Sequence, residues 1–194
     1  MHHPQPITAT KTTKDRIIEA AMGIARTKGA RHLTIDAVTV QSGLSKGGVL
    51  YHFPSKKALL KGLVAYMIVT MGGYIDAHYQ RFQSGPNPTL HALAALLGDL
   101  LDGRLGVPVA LLAAGAEDPD LLEPAREEIC KIWQKIESET ADVPRALVIW
   151  SAIEGVHYMD LLGMAPAEGR TLLRKCLTQL ELMIEDLPPK ECKT

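Results

Sequence analysis

Cysteine is scarce in this 194-residue chain, and the three present stand far apart: Cys130, Cys176 and Cys192. An odd number with no CxxC pair excludes a disulfide framework and fits a reducing compartment. Metal-ligand spacing is missing as well, with no HExxH and no paired His/Cys pattern, so no metal and no cofactor are expected. Strand signals are almost absent, with no sustained alternation of apolar and polar residues and no Asn-Gly hairpin turn. Uninterrupted apolar runs fall short of the ~18 residues of a membrane span, so no membrane partner is expected. The opening MHHPQPITATKTTK lacks an apolar core. It reads as a polar arm over residues 1–13 rather than a signal peptide.

Acidic residues are sparse in the first third. Residues 1–62 hold ten Lys and Arg against three Asp and Glu, a net +7. The remainder holds eleven against nineteen, a net −8, and the whole chain carries −1. The overall neutrality therefore hides a basic segment that suits a polyanion partner.

Helical signals fill the space left by strands. Thr13 is expected to cap a first helix that Gly29 stops. Thr34 caps a second, ending at Gly43, and Leu33 with Val38 is placed as a hydrophobic staple. Ser45 caps a short third helix ending near Phe53, and Ser55 caps a long fourth that passes position 70. Ser84–Pro88 breaks the chain. Further helices are expected at about 89–103, 107–116, 119–140, 143–163 and 167–186. The fold class is all-α, with about nine helices.

Only Gly43-Leu44 separates the second and third helices, and so tight a bend between two short helices describes a helix-turn-helix. Its second helix enters the DNA major groove, N-terminal residues foremost. Gly47 and Gly48 lie on that first turn although each helical glycine costs roughly 1 kcal/mol against alanine. Bare backbone there allows close approach to the groove or to phosphate. Ser45 and the free N–H groups at the helix start favour an anion, as does Thr34 at the start of the second helix. Lys46 is the candidate for a base edge. Tyr51 and His52 face the strands one turn on, and Lys56 and Lys57 add positive charge.

The stretch SGLSKGGVLYHFPSKKALL, within Leu33–Leu60, resembles the core motif of the tetracycline-repressor (TetR) family. The resemblance covers residues 14–63 and implies a DNA-binding domain over about 14–62. The glycine pair stands where the family commonly has Gly-Thr, which removes a hydroxyl that often meets DNA. The resemblance further implies a C-terminal domain, residues 63–194, for ligand binding and dimerisation. In the family the last two long helices usually build a four-helix bundle with a second subunit. Here their apolar residues include Leu147, Val148, Ile153, Val156, Leu161, Leu172, Leu173, Leu177, Leu180 and Ile184, with Gly155 allowing close approach. The family's repressors usually bind a small molecule between the middle helices and then release a palindromic operator. The implied partners are thus double-stranded DNA, a small-molecule effector and a second copy of the chain, in a bacterial cytoplasm.

For the effector, Trp150, Glu154, His157 and Leu161 share one helical stripe, while Met71, Tyr74 and Phe82 share a side of the fourth helix. The expected pocket has Trp133, Trp150, Tyr74, Met71 and Phe82 as walls and Glu154 or His157 as polar handles. A cationic aromatic ligand is conditional on a buried Glu154. The competing reading makes the tryptophans plain core and puts Glu154 and His157 at the dimer seam.

Gly43–Gly47 also satisfies G-x-S-x-G, but a hydrolase elbow needs a strand before its serine. A P-loop fails because Val49 follows Gly48 where lysine is required. No enzymatic activity is expected. The rival to a ligand-responsive repressor is a ligand-independent or architectural DNA binder governed by a protein partner.

Overall fold

A computed structural model describes residues 11–29, 32–103, 114–115, 117–165 and 169–190. Among these, eight α-helices and a short 3-10 turn carry the fold, and the sole β feature is an isolated bridge between Thr140 and Pro189. The helices are α1 (Thr13–Lys28), α2 (Ile35–Ser42), α3 (Lys46–His52), α4 (Lys56–Phe82), α5 (Pro88–Leu101), α6 (Glu123–Glu139), α7 (Val143–Leu161) and α8 (Arg170–Glu185). The all-α class is as expected. The helix anticipated at 107–116 lies mostly outside the described residues, as do the first ten residues and Cys192.

The chain divides into two compact units, and α4 passes from one to the other after Tyr66. The first unit holds α1, α2, α3 and the start of α4, together with the described residues between 114 and 122. That late segment joins the basic head, although the sequence reading gave everything beyond residue 62 to the second domain.

Caps define the head's helices. Thr12, one residue before the expected Thr13, caps α1 in a reciprocal box with Asp15: the Asp15 N–H donates to Thr12 Oγ1 and the Thr12 N–H to the Asp15 carboxylate. The carboxylate of Asp15 is held below its usual range first by a hydrogen bond from the Thr12 hydroxyl and then by the one from the Thr12 N–H. Gly29 ends α1 at φ +86°. Inside, Ile17, Ile24, Leu33, Val38, Val49, Leu59, Leu60 and Leu63 are essentially inaccessible. Burying each such side chain stabilises by roughly 1.5–3 kcal/mol.

The second unit is built around α5. Ten of its fourteen residues are buried, the pattern of a helix enclosed on all sides. It packs on α6, α7 and α8. Its N-terminus borrows its cap: Glu139, at the end of α6, accepts from the Thr89 N–H at 2.9 Å and from Thr89 Oγ1 at 2.7 Å. Asn87, at φ +49°, donates through Nδ2 to the Leu187 carbonyl. Ala141 N–H to Pro188 O and Lys190 N–H to Glu139 O close the same end of the unit.

α4 is 27 residues long and has an 18-residue window of mean hydropathy 1.5, which meets the length and composition of a bilayer span. Its apolar sequence is nevertheless not an unbroken run, because Lys61, Gly72 and Gly73 interrupt it. Leu59, Leu60, Leu63, Val64 and Met67 are buried, but only 28% of that window is, and Val69 is 75% exposed.

Candidate functional site

The bend between α2 and α3 is set by Gly43, whose φ of +67° and ψ of 22° put it in the left-handed region that glycine adopts without strain. Thr34 caps α2 by accepting from the Ala37 N–H at 3.1 Å. Ser45 caps α3, its Oγ accepting from the Gly48 N–H at 3.1 Å. Such caps contribute about 1 kcal/mol each. The two glycines of α3 differ in kind. A Cβ on Gly48 would stand 3.3 Å from the capping Ser45 Oγ, whereas a Cβ on Gly47 would meet nothing within 4 Å. Gly48 therefore has an internal reason to be small. Gly47 has none, and it is exposed.

Val49 is fully buried and anchors α3. Gly47 and Tyr51, each two positions away, fall on the opposite side, and Tyr51 is 85% exposed. His52 is half-buried, its ring edge-on to Tyr51 at 5.1 Å. Thr34, Ser45 and Lys46 are exposed, and Lys56 is half-buried. Phe53, 3% exposed, closes α3 by donating its N–H to the Val49 carbonyl. The outward surface of α3 is thus polar backbone, hydroxyl, phenol and amine, on a helix pinned from behind by two apolar side chains.

The lysines around it are paired with acids. Lys46 Nζ lies 2.8 Å from Asp36 on α2. Lys56 meets Glu117 and Lys57 meets Asp118, both at 2.5 Å. Sequence reasoning found the lysines and missed the two later acids, because a spacing of 61 residues leaves no local signal.

On the second unit the expected effector residues fall into separate groups. Trp133 on α6 stacks on Trp150 on α7, with centroids 5.8 Å apart and planes 22° from parallel. His157 Nδ1 lies 3.8 Å from the Glu154 carboxylate. Trp150 Nε1 and His157 Nε2 are buried with no hydrogen-bond partner, a state that costs about 1–3 kcal/mol per group unless something fills it. The Glu154 side chain is 39% exposed, so the burial on which a cationic ligand was conditioned is not met within one protomer. Phe82 stacks instead on His91 at 5.2 Å, and burial lowers the pKa of that imidazole. Tyr74 is 38% exposed, and Met71 is half-buried.

α7 has three distinct faces. Ala146, Ile149, Ile153 and Val156 point into the unit's own core. Trp150, Glu154 and His157 make the second. The third holds Val148, Gly155 and Met159 and continues to Leu162 just past the helix end, with Val148 61%, Met159 50% and Leu162 51% exposed and nothing within 4 Å of a Cβ on Gly155. Several apolar residues expected at a dimer seam, including Ile153, Val156, Leu173, Leu177, Leu180 and Ile184, are consumed by the protomer's core instead. Among the described residues no cluster of three or more His, Cys, Asp or Glu could hold a metal.

Comparison with known proteins returns one architecture. Residues 17–63 match the model of bacterial regulatory proteins of the tetR family, and residues 87–184 match a tetracyclin repressor-like C-terminal domain. The HTH-type transcriptional regulator CymR of Pseudomonas putida is 26% identical over 111 residues, 57% of this chain and 55% of CymR. The chain thus spans about half the length of the curated relatives it matches. The solved structure of the multidrug binding protein EbrR complexed with imidazole aligns over 95% of this chain and 99% of its own, at 23% identity and a TM-score of 0.66. A transcriptional regulator from Rhodococcus sp. Rha1 aligns over 91% and 98%, at 20% identity and a TM-score of 0.69. At these identities the structural likeness concerns the fold.

Proposed function

The chain belongs to the tetracycline-repressor family of bacterial transcriptional regulators, non-enzymatic proteins with a DNA-binding helix-turn-helix, and on that premise we propose that it is a cytoplasmic homodimeric repressor released from a palindromic operator by a small ligand. The observation that carries the DNA reading is the outward face of α3, with bare Gly47 and exposed Tyr51 opposite buried Val49. In this reading residues 14–62 bind DNA. Gly47 and Gly48 bring backbone to the groove, and Ser45, Thr34, Tyr51, His52 and Lys56 meet phosphates. Lys46 reaches a base edge, released from Asp36. The remainder binds ligand and pairs with a second copy through α7 and α8, setting two α3 helices about 34–36 Å apart.

Replacing Lys46 by alanine is expected to change sequence preference, by about 1–3 kcal/mol at one base position. Tyr51→Ala is expected to weaken all sites alike. Binding-site selection with each variant checks both. An equal loss on every site for Lys46→Ala would reduce Lys46 to a phosphate contact.

The ligand reading rests on the Trp133–Trp150 stack beside two unpartnered buried polar atoms. A mainly aromatic molecule offering an acceptor to Trp150 Nε1–H, or a partner to His157 Nε2, answers both features. EbrR, of the same fold, has been solved with ethidium and with malachite green. Release of the operator requires the ligand to favour the DNA-incompetent state by a few kcal/mol. Titrating ethidium against tryptophan fluorescence is expected to show quenching that Trp150→Phe weakens severalfold. Unchanged affinity in the variant would remove Trp150 from the wall.

A further inference from the structure

Lys56 and Lys57 begin α4, whose first turn is capped by Ser55 Oγ accepting from the Ala58 N–H at 3.1 Å. Each ammonium is met by one carboxylate, and the two carboxylates are consecutive: Glu117 on Lys56, Asp118 on Lys57. The match is residue for residue across 61 positions, and the acids come from outside the helix-turn-helix. Their segment is anchored in the first unit, with Ala114 fully buried and Leu121 5% exposed. Asp118 is held in place by a second bond, its Oδ1 accepting from the Asp120 N–H at 3.0 Å while Oδ2 takes Lys57. The hydrogen bond that Lys57 donates to Asp118 raises the Lys57 ammonium above its ordinary range and lowers the Asp118 carboxyl. Both groups are therefore charged near neutrality. Two anionic oxygens beside two lysines at a helix start reproduce what a nucleic-acid backbone offers.

We propose that Glu117 and Asp118 are an internal stand-in for DNA phosphates, occupying Lys56 and Lys57 until the duplex displaces them and so setting the affinity of the head. The proposal rests on the reading of the chain as a DNA binder. The pairs are exposed enough to be weak and salt-screened: Lys57 is 65% and Glu117 41% exposed. A phosphate can therefore replace them, which makes the acids a rheostat and not a lock. The segment runs through the Pro119–Leu122 turn directly into α6.

The test measures binding of the full chain to a mixed-sequence 40-base-pair duplex by fluorescence anisotropy over a salt series. A paired variant, Glu117→Gln with Asp118→Asn, is compared with a charge-matched control, Glu127→Gln with Glu181→Gln. Asparagine keeps the Oδ1 that holds the Asp120 N–H. The first variant is expected to bind roughly three- to tenfold more tightly than the control at low salt. Its slope of log affinity against log salt should be steeper by up to ~0.9 for each lysine freed. Adding Lys56→Ala and Lys57→Ala to it should abolish the gain in affinity and bring the slope to or below the native value. A variant no tighter and no steeper than the control, or weaker than native protein, overturns the proposal, since the acids would then only position the lysines. Amine acylation read by mass spectrometry separates the two failures. Faster labelling of Lys56 and Lys57 in the paired variant with no DNA binding by any of the proteins sinks the DNA reading, and the stand-in with it. Native DNA binding with unchanged slope and labelling sinks the stand-in alone.

Discussion

Replacing Val148 and Met159 together by aspartate is expected to turn the proposed dimer into a folded monomer and to lower operator affinity by at least about 100-fold. The two side chains lie on the face of α7 that its own unit leaves uncovered, in line with Gly155 and Leu162. In a symmetric interface each substitution counts twice, placing four carboxylates against apolar surface, and an unpaired charge buried there costs several kcal/mol. The protomer itself loses little, because exposed substitutions usually stay within about 0.5 kcal/mol. The DNA effect is larger than the interface effect because two linked heads bind with an avidity of roughly 10²–10⁴ over one. Light scattering and a footprint titration check the two halves. A dimer that survives both aspartates would move the subunit contact off this face.

The second large effect concerns Gly62, in the first turns of α4. A Cβ built there would stand 2.5 Å from Phe53 Cε1, 3.2 Å from its Cζ and 3.4 Å from Ile18 Cδ1. Phe53 is a buried ring closing α3, so it cannot swing away as a surface chain end would. Gly62→Val is expected to destabilise the head by about 2–3 kcal/mol through overpacking, against a few tenths recovered in helix propensity. Since α3 is pinned by Val49 and Phe53, DNA binding falls with it. Gly23→Ala is the contrast. That glycine sits inside α1 with nothing within 4 Å of its Cβ, and alanine there is expected to stabilise by about 0.5–1 kcal/mol. Amide exchange of α1 and α3 reads both changes. Equal stability of the two variants would mean that the ring adjusts at no cost.

The head was legible because its signals are local. Thr34, Gly43 and Ser45 act within four residues of themselves, and their types state the backbone geometry each requires. The α1 cap was misplaced by one because Thr12 and Thr13 are adjacent and both able to cap; the reciprocal bond with Asp15 selects Thr12. The role of Gly62 was hidden, since its neighbour Phe53 is set by tertiary packing. The same holds for Glu117 and Asp118. On α7 the apolar spacing was visible, but a helix with apolar residues on more than one face does not say which face meets its own core and which meets another chain. Ile153 and Val156 went inward and Val148 and Met159 outward, a division that only the packing of α5 and α8 decides. The Trp133–Trp150 stack joins two helices, and no spacing within either one announces it.

The central claim is that two copies of this chain read a palindrome through α3. A footprint of the unmodified protein on DNA flanking its own gene, at two salt concentrations, tests it most directly. The expected result is a protected palindrome of roughly two helical turns whose boundaries persist as salt rises while affinity falls. Uniform, salt-sensitive coating with no protected site, on that DNA and on sites recovered by selection, would contradict it.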